Sequence, residues 1–364
     1  MKKEAALPRF KLKTPADIVD AVPYLLGFQP HDSLVVLSLR GARKRVGLTA
    51  RVDLPLPELA EQCARDFVGY LTRDNAAFAI VAIYPPSDGR AHPSVQPLAD
   101  ALTDGLRGAG IEPVEVVCVG DGRWWSLLCV NDACCPVDGT PIGAGGTSAC
   151  AAAMTYAGVS VLESRDELVR TIAPVTGAVQ VAMDYALAQV AEELADRADL
   201  GHRAYDARES LLLWRAEVAA RMAAEVGQVT ELGVDDAARL ILGLVDVRVR
   251  DQVLTWYDGE RGEATRGLLI ELVRRASAPF EVAPLALFAW ICYLQGNGSL
   301  AGIAIDRALA ADPNYGMAQL LDQALVGALD PAVFQSALRD PAMWTTNAEV
   351  RPNRRRVGRT ARRA

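Results

Sequence analysis

The hydrophobic pattern of this chain changes near Thr176, and that change sets the fold class. Before this point, short apolar runs of strand length alternate with segments of helical periodicity. After it, alanine- and leucine-rich segments with charged faces follow one another with no strand pattern between them. The sequence therefore predicts an α/β domain over residues 1–160, in which helices flank a mixed sheet, and an all-α bundle or repeat-like domain over 161–345.

The first half of the chain supplies the strands of the predicted sheet. Residues 33–39 have a continuously apolar centre, which is typical of a strand buried on both faces, so we expect this strand inside the sheet. Apolar and polar residues alternate over 45–52, which predicts a second strand joined to the first in a hairpin. A second hairpin is predicted around the turn at 120–122, with Val119 opposite Arg123.

Residues 285–315 of the helical half resemble one tetratricopeptide repeat. Small, aromatic, turn and helix-ending residues fall at the positions that such a repeat requires: Ala289, Tyr293, Gly296, Ala301, Ala308, Leu309, Asp312 and Pro313. Small residues let two antiparallel helices approach closely, while glycine makes the turn and proline ends the second helix. Because one repeat cannot form the concave binding surface of a repeat array, both a structural subdomain and a partner-binding domain are compatible with the pattern.

Three of the seven cysteines, Cys129, Cys134 and Cys135, lie within seven residues after an apparent strand rich in tryptophan. Three thiolates suit zinc, but the spacing lacks paired Cys-x2-Cys knuckles, and adjacent cysteines tend to point apart. The candidates for a fourth ligand are His31, His92 and Cys150. The expected hairpin register separates Cys118 from Cys129 by about 17 Å, so we expect Cys118 to lie outside the cluster.

The same cysteines also fit redox chemistry. Cys129 could close a short disulfide with Cys134 or Cys135, and the remaining thiol could reopen it by exchange. A reactive thiolate needs a nearby cation or helix N-terminus. The local charges are instead those of Asp132 and Asp138, which we expect to raise the pKa values of the cysteines.

Two further interpretations of the cysteine loop remain open. A cysteine nucleophile with His31 as base and Asp32 as orienting residue can be drawn. Alternatively, the thiols pack like small hydrophobic residues in a turn whose path is fixed by proline and glycine. The glycine-rich segment 143–148 lacks the lysine of a phosphate-binding loop, and a linker is the favoured interpretation.

Charge is distributed unevenly along the chain. The last 14 residues contain seven arginines and no acidic residue, so the rest of the chain is more acidic than the net charge of −7. We expect a basic, disordered tail over 346–364, and nucleic acid binding only through that tail. The N-terminal residues lack an apolar signal segment, and the longest apolar run, at 282–294, is too short to span a bilayer. These features predict a cytoplasmic protein without a membrane span.

Several stretches of the chain together resemble an uncharacterised family of actinobacterial cytoplasmic proteins, catalogued as a domain of unknown function. They are residues 14–18, 25–37, 51–55, 125–129 and 134–141. The resemblance implies no reaction, ligand or catalytic residue, although it includes the cysteine loop. The favoured hypothesis is a binding or scaffold protein that meets a protein partner through its helical domain. The alternative is a thiol-based enzyme, redox sensor or zinc-stabilised protein centred on Cys129, Cys134 and Cys135.

Overall fold

The computed structural model describes residues 14–131, 133–143, 149–157, 159–199, 207–224 and 232–339. The predicted basic tail and Asp132 lie outside the described residues, as do residues 144–148 of the glycine-rich segment. The strands are β1 (Ser33–Arg40), β2 (Arg45–Asp53), β3 (Phe78–Tyr84), β4 (Glu112–Gly120), β5 (Arg123–Ser126) and β6 (Thr140–Pro141).

The helices occupy both halves of the chain. Those up to the last strand are α1 (Pro15–Leu26), α2 (Ala60–Arg73) and α3 (Val95–Gly108). Those that follow are α4 (Ala149–Tyr156), α5 (Arg165–Thr171), α6 (Ala178–Asp199), α7 (Ala207–Ala223), α8 (Val234–Gly243), α9 (Val247–Leu254), α10 (Gly259–Arg275), α11 (Val282–Leu294), α12 (Gly298–Ala311), α13 (Gly316–Val326) and α14 (Pro331–Arg339). The predicted fold class, a mixed α/β sheet followed by helices, is confirmed.

The six strands form one sheet in the order β2-β1-β3-β4-β5-β6. Only β3 and β4 pair in parallel, through the crossover helix α3, and the other neighbours are antiparallel. As expected from its apolar sequence, β1 lies inside the sheet and forms a hairpin with β2. The cysteine loop lies at the opposite end of the strand order, between β5 and the edge strand β6.

Both faces of the sheet are covered, which explains why β1 is apolar without alternation. Leu34 and Val36 pack on the face that carries α2 and α3. Val35 and Leu37 face the other way, into an apolar core that they share with α1 and with the helices of the second half. The helical half therefore packs against the sheet through a continuous core.

The hairpin between β4 and β5 differs by one residue from the predicted register. Val119 pairs with Trp124 and not with Arg123. The turn consists of Asp121 and Gly122 alone, which have positive φ angles of 52° and 72°. Two consecutive residues with positive φ form the tight hairpin turn that matches the twist of its strands, so the strands begin to pair one residue earlier than expected.

Helices α11 and α12 form a helical hairpin where the tetratricopeptide-like pattern lies. Gly296 adopts a left-handed φ of 79° after α11, and the Asn297 side chain caps α12 by accepting a hydrogen bond from the Leu300 N–H. Small residues on both helices are fully buried, namely Ala289, Ala301, Ala304 and Ala308. The likeness to that repeat family stays a prediction. Among the described helices, none has both the length and the hydrophobicity to cross a membrane.

A buried carboxylate ties the sheet to the helical half. Asp74, at the end of α2, accepts hydrogen bonds from Ser38 and Arg40 of β1. The guanidinium of Arg40 also donates to Asp330, just before α14, at 2.8 Å. The Asp74 side chain is only 3% exposed while that of Asp330 is 35% exposed, so one guanidinium joins a buried and a surface acid.

Candidate functional site

The loop that carries the three cysteines is fixed at both ends on the edge of the sheet. Its flanking strands pair directly, with Trp124 of β5 opposite Thr140 of β6. The Trp125 indole N–H donates to the Val137 carbonyl at 3.0 Å, and the Arg123 guanidinium donates to the Gly139 carbonyl at 2.9 Å. These contacts hold the C-terminal end of the loop against β5.

Asn131 organises the interior of this loop. Its carbonyl accepts hydrogen bonds from the backbone N–H groups of Cys134 and Cys135, at 3.1 and 2.8 Å. Its side-chain oxygen accepts from the Ala133 N–H at 3.0 Å, as in an Asx turn. On the other side of the turn, the Cys129 N–H donates to the Ser126 hydroxyl oxygen at 3.2 Å. The turn folds the adjacent cysteines back toward Cys129.

The three sulfur atoms converge as a result. The Sγ atoms of Cys129, Cys134 and Cys135 lie within 4.8 Å of one another, and those of Cys129 and Cys134 are 3.2 Å apart. The expectation that the adjacent cysteines point apart is wrong, because side chains alternate between faces in a strand and these residues lie in a turn. The observed arrangement can hold one ion or bring two thiols into contact.

The cysteines of the loop differ in environment from the other four. Cys129 and Cys135 are half-buried and Cys134 is exposed, and none of them belongs to an apolar cluster of the described residues. The other four all pack within or against such clusters: Cys63, Cys118, Cys150 and Cys292. Close packing as small hydrophobic residues therefore describes those four thiols and not the loop. Cys118 lies outside the sulfur group, as expected.

The pKa values of the three thiols move in different directions. A backbone hydrogen bond from Asn131, followed by hydrogen bonds with the two neighbouring thiols, lowers the pKa of Cys129. Its hydrogen bond with Cys129 raises the pKa of Cys134, while burial raises the pKa of Cys135 to about 12. The expected rise is therefore wrong for Cys129, because the Asn131 backbone stabilises its thiolate. Of the three thiols, only that of Cys129 has a lowered pKa.

Glu115 of β4 is a site residue that the sequence interpretation did not include. Its carboxylate accepts hydrogen bonds from the Ser126 hydroxyl at 2.8 Å and from the Val116 N–H at 2.9 Å. Burial raises the pKa of Glu115, although both hydrogen bonds act against the rise. Its charge also opposes the lowering of the Cys129 pKa. An acid placed directly between two valines of β4, Val114 and Val116, was the available signal.

His31 and Asp32, proposed from the sequence as base and orienting residue, lie in the turn before β1. His31 is exposed, and its backbone carbonyl accepts the Ser33 hydroxyl at 2.5 Å. Asp32 has a positive φ of 46°, which short polar residues tolerate in turns. His31 is not part of the sulfur group. Turn chemistry accounts for both residues.

The two other candidates for a fourth ligand also lie outside the sulfur group. His92 accepts a hydrogen bond through Nδ1 from the Ser94 N–H at 3.3 Å, near the start of α3. Cys150 is buried in a small apolar cluster with Ala21 and Met154. Among the described residues, the group that can act as metal ligands thus consists of three sulfurs.

The helical half contains a shallow apolar groove of about 380 Å³. It is lined by Ala191, Leu194, Leu242, Val245, Asp246 and Phe280. This lining does not select one occupant over another, so the protein partner expected from the sequence stays a prediction.

The family model described as "Domain of unknown function (DUF4192)" matches residues 15–332. The match includes the sheet, the cysteine loop and nearly all of the described helices. No curated protein and no solved structure gave a match to this chain.

Proposed function

The chain belongs to the DUF4192 family, whose description assigns no activity, and we propose that its function depends on a metal site formed by Cys129, Cys134 and Cys135. The convergence of the three sulfur atoms carries this proposal. Thiolates are soft ligands that select zinc and similar ions over magnesium or calcium. The ion class is therefore a thiophilic divalent cation, with Zn²⁺ as the leading candidate.

The sulfur spacing suits such an ion. With Zn–S bonds of about 2.3 Å, the sulfurs of a tetrahedral site lie about 3.8 Å apart. The closest pair, Cys129 and Cys134, is at 3.2 Å, and all three sulfurs lie within 4.8 Å. Side-chain shifts of about 1 Å or less would place all three sulfur atoms at bonding distance from one ion.

Three protein ligands leave one tetrahedral position for water or an external ligand. Structural zinc sites close this position with a fourth protein ligand, whereas catalytic sites keep it open. The exposure of Cys134 makes that position accessible to small molecules. A metal site of this kind suits a cytoplasmic protein, since reducing compartments keep thiols available for metals.

Metal binding is tested on the full chain purified under reducing conditions. We expect one Zn²⁺ per chain by elemental analysis. Replacement by Co²⁺ should give the near-ultraviolet charge-transfer absorption of thiolate ligands. Each of the variants Cys129→Ser, Cys134→Ser and Cys135→Ser should lower the affinity for Co²⁺ by at least about tenfold. Cys63→Ser removes a thiol elsewhere and should leave the affinity unchanged.

Two results of the Co²⁺ titration would contradict the metal site. One is a Co²⁺ titration of the reduced protein without the thiolate charge-transfer band. The other is a band that survives in all three loop variants but is lost in Cys63→Ser. A count of reactive thiols in the folded protein that is unaffected by added Zn²⁺ would lead to the same conclusion.

A further inference from the structure

The contact between Cys129 and Cys134 is shorter than a tetrahedral metal site requires. Their sulfurs are 3.2 Å apart, against about 3.8 Å around zinc and about 2.05 Å in a disulfide bond. These two sulfurs are therefore already in van der Waals contact. The two sulfurs must move closer by about 1.2 Å to form a disulfide bond.

The surroundings of the pair permit that approach. Cys134 is exposed and Cys129 is half-buried, so a small molecule can reach either sulfur. The hydrogen bonds of the Asn131 carbonyl hold the backbone on the Cys134 side, while Ser126 accepts from the backbone of Cys129. The two side chains can rotate toward each other without breaking these backbone contacts.

We propose that Cys129 and Cys134 form a reversible disulfide by exchange with a low-molecular-weight disulfide, and that Cys135 remains a free thiol. The pair is a modification site in its own right. Its effect on metal release rests on the proposed function, because oxidation would remove two of the three sulfur ligands. The same loop would then bind metal when reduced and release it when oxidised.

The disulfide forms by two exchange steps. One of the two protein thiolates attacks the small disulfide, which forms a mixed disulfide and expels one small thiolate. The second protein thiol gives its proton to solvent and attacks the protein sulfur of the mixed disulfide, which expels the second small thiolate. Two protein thiols and one small disulfide thus become one protein disulfide and two small thiols.

Cys135 is the less suitable partner in this exchange. Its side chain is half-buried, whereas that of Cys134 is exposed. It also lines a narrow crevice with Arg90, Trp124 and Trp125 that has no room for a water-sized molecule. A small disulfide therefore meets the sulfurs of Cys129 and Cys134 more readily.

The proposal is tested with the reduced, chelator-treated full chain and oxidised glutathione as the probe. After alkylation, the intact mass should show two fewer alkyl groups than the fully reduced control and no retained glutathione. Peptide mapping should link Cys129 to Cys134. Cys135→Ser and Cys63→Ser should still close the disulfide. Cys129→Ser should instead accumulate a mixed disulfide with glutathione, because Cys134 has lost its partner.

The outcomes separate this proposal from the metal site. Formation of the disulfide without any Co²⁺ binding would contradict the metal site and support the disulfide proposal. Metal binding with a stable glutathione adduct on the wild-type loop, or a link through Cys135, would overturn the disulfide proposal alone. Prior loading with Zn²⁺ should slow closure by at least about tenfold if both proposals hold.

Discussion

The indole ring of Trp125 lies so close to Gly139 that a Cβ atom on Gly139 would come within 2.5 Å of its Cε2 atom. Gly139 also has a positive φ of 75°. The same indole donates to the Val137 carbonyl two residues earlier. Trp125 therefore fixes the C-terminal end of the cysteine loop by both a hydrogen bond and close packing against a residue without a side chain.

Gly139→Ala should loosen this end of the loop. The methyl group adds a steric clash to the cost of a left-handed alanine, and we expect the free energy of unfolding to fall by about 1–3 kcal/mol in urea titrations. Co²⁺ affinity should fall with it. Gly143→Ala is the matched control, because Gly143 has a φ of 76° but an added Cβ would meet no atom within 4 Å. Equal losses in both variants would show that backbone strain, and not Trp125, sets the effect.

Two glycines of α10 should respond to alanine in opposite directions. A Cβ on Gly262 would overlap the backbone carbonyl of Tyr257, whereas one on Gly267 would meet no atom within 4 Å. We expect Gly262→Ala to lower the free energy of unfolding by about 1–3 kcal/mol. Gly267→Ala should raise it by about 0.5–1 kcal/mol, because alanine has the higher helix propensity. Thermal unfolding of both variants provides the measurement, and destabilisation by Gly267→Ala would contradict the packing described for α10.

Local sequence patterns predicted the parts of this fold that depend on residues close together in sequence. The unbroken apolar centre of β1 indicated burial on both faces, and packed helices cover Leu34 on one face of the sheet and Val35 on the other. The register of the second hairpin was wrong by one residue because it depends on the φ angles of Asp121 and Gly122. Two positive φ angles shorten the turn, and composition alone does not specify them.

The candidate site was predicted in its residues but not in its geometry. Convergence of the three sulfurs depends on the Asn131 carbonyl, which bonds to two successive amides, and on anchors such as the Trp125–Val137 hydrogen bond. Glu115 approaches Cys129 only because β4 and β5 pair. Such contacts join residues that are distant in sequence or follow from one turn conformation, so periodicity and spacing do not reveal them.

Because of the buried Asp74, the free energy of unfolding should depend on pH in the acid range. Burial alone would raise its pKa, but hydrogen bonds from Arg40, Ser38 and the Leu48 N–H outweigh it and lower the pKa below the usual value. When the pKa of a carboxyl group is lower in the folded protein than in the unfolded protein, ionisation stabilises the fold. This stabilisation is fully present above the pKa of the unfolded protein, about 3.9, and is lost as the pH falls through the pKa of the folded protein.

Asp74→Asn should remove this pH dependence. We expect a loss of about 1–3 kcal/mol in the free energy of unfolding at neutral pH, and a smaller difference from the wild type as pH falls below about 3.9. Asp330→Asn removes the surface partner of the same Arg40 and should cost less than about 1 kcal/mol. Urea unfolding over this pH range tests both variants. An equal loss at every pH would exclude ionised Asp74 as the source.

Glu115 should restrain the reactivity of Cys129. The Asn131 backbone lowers the pKa of Cys129, and the Glu115 carboxylate acts against that lowering. Glu115→Gln removes the charge, so the pKa of Cys129 should fall further and its alkylation by iodoacetamide at neutral pH should speed up, because a larger fraction of the thiol is ionised. Mass spectrometry of the metal-free protein reports the rate at Cys129. Glu112→Gln changes an exposed acid of the same strand and should have no effect, and similar rates in both variants would mean that Glu115 does not act through its charge.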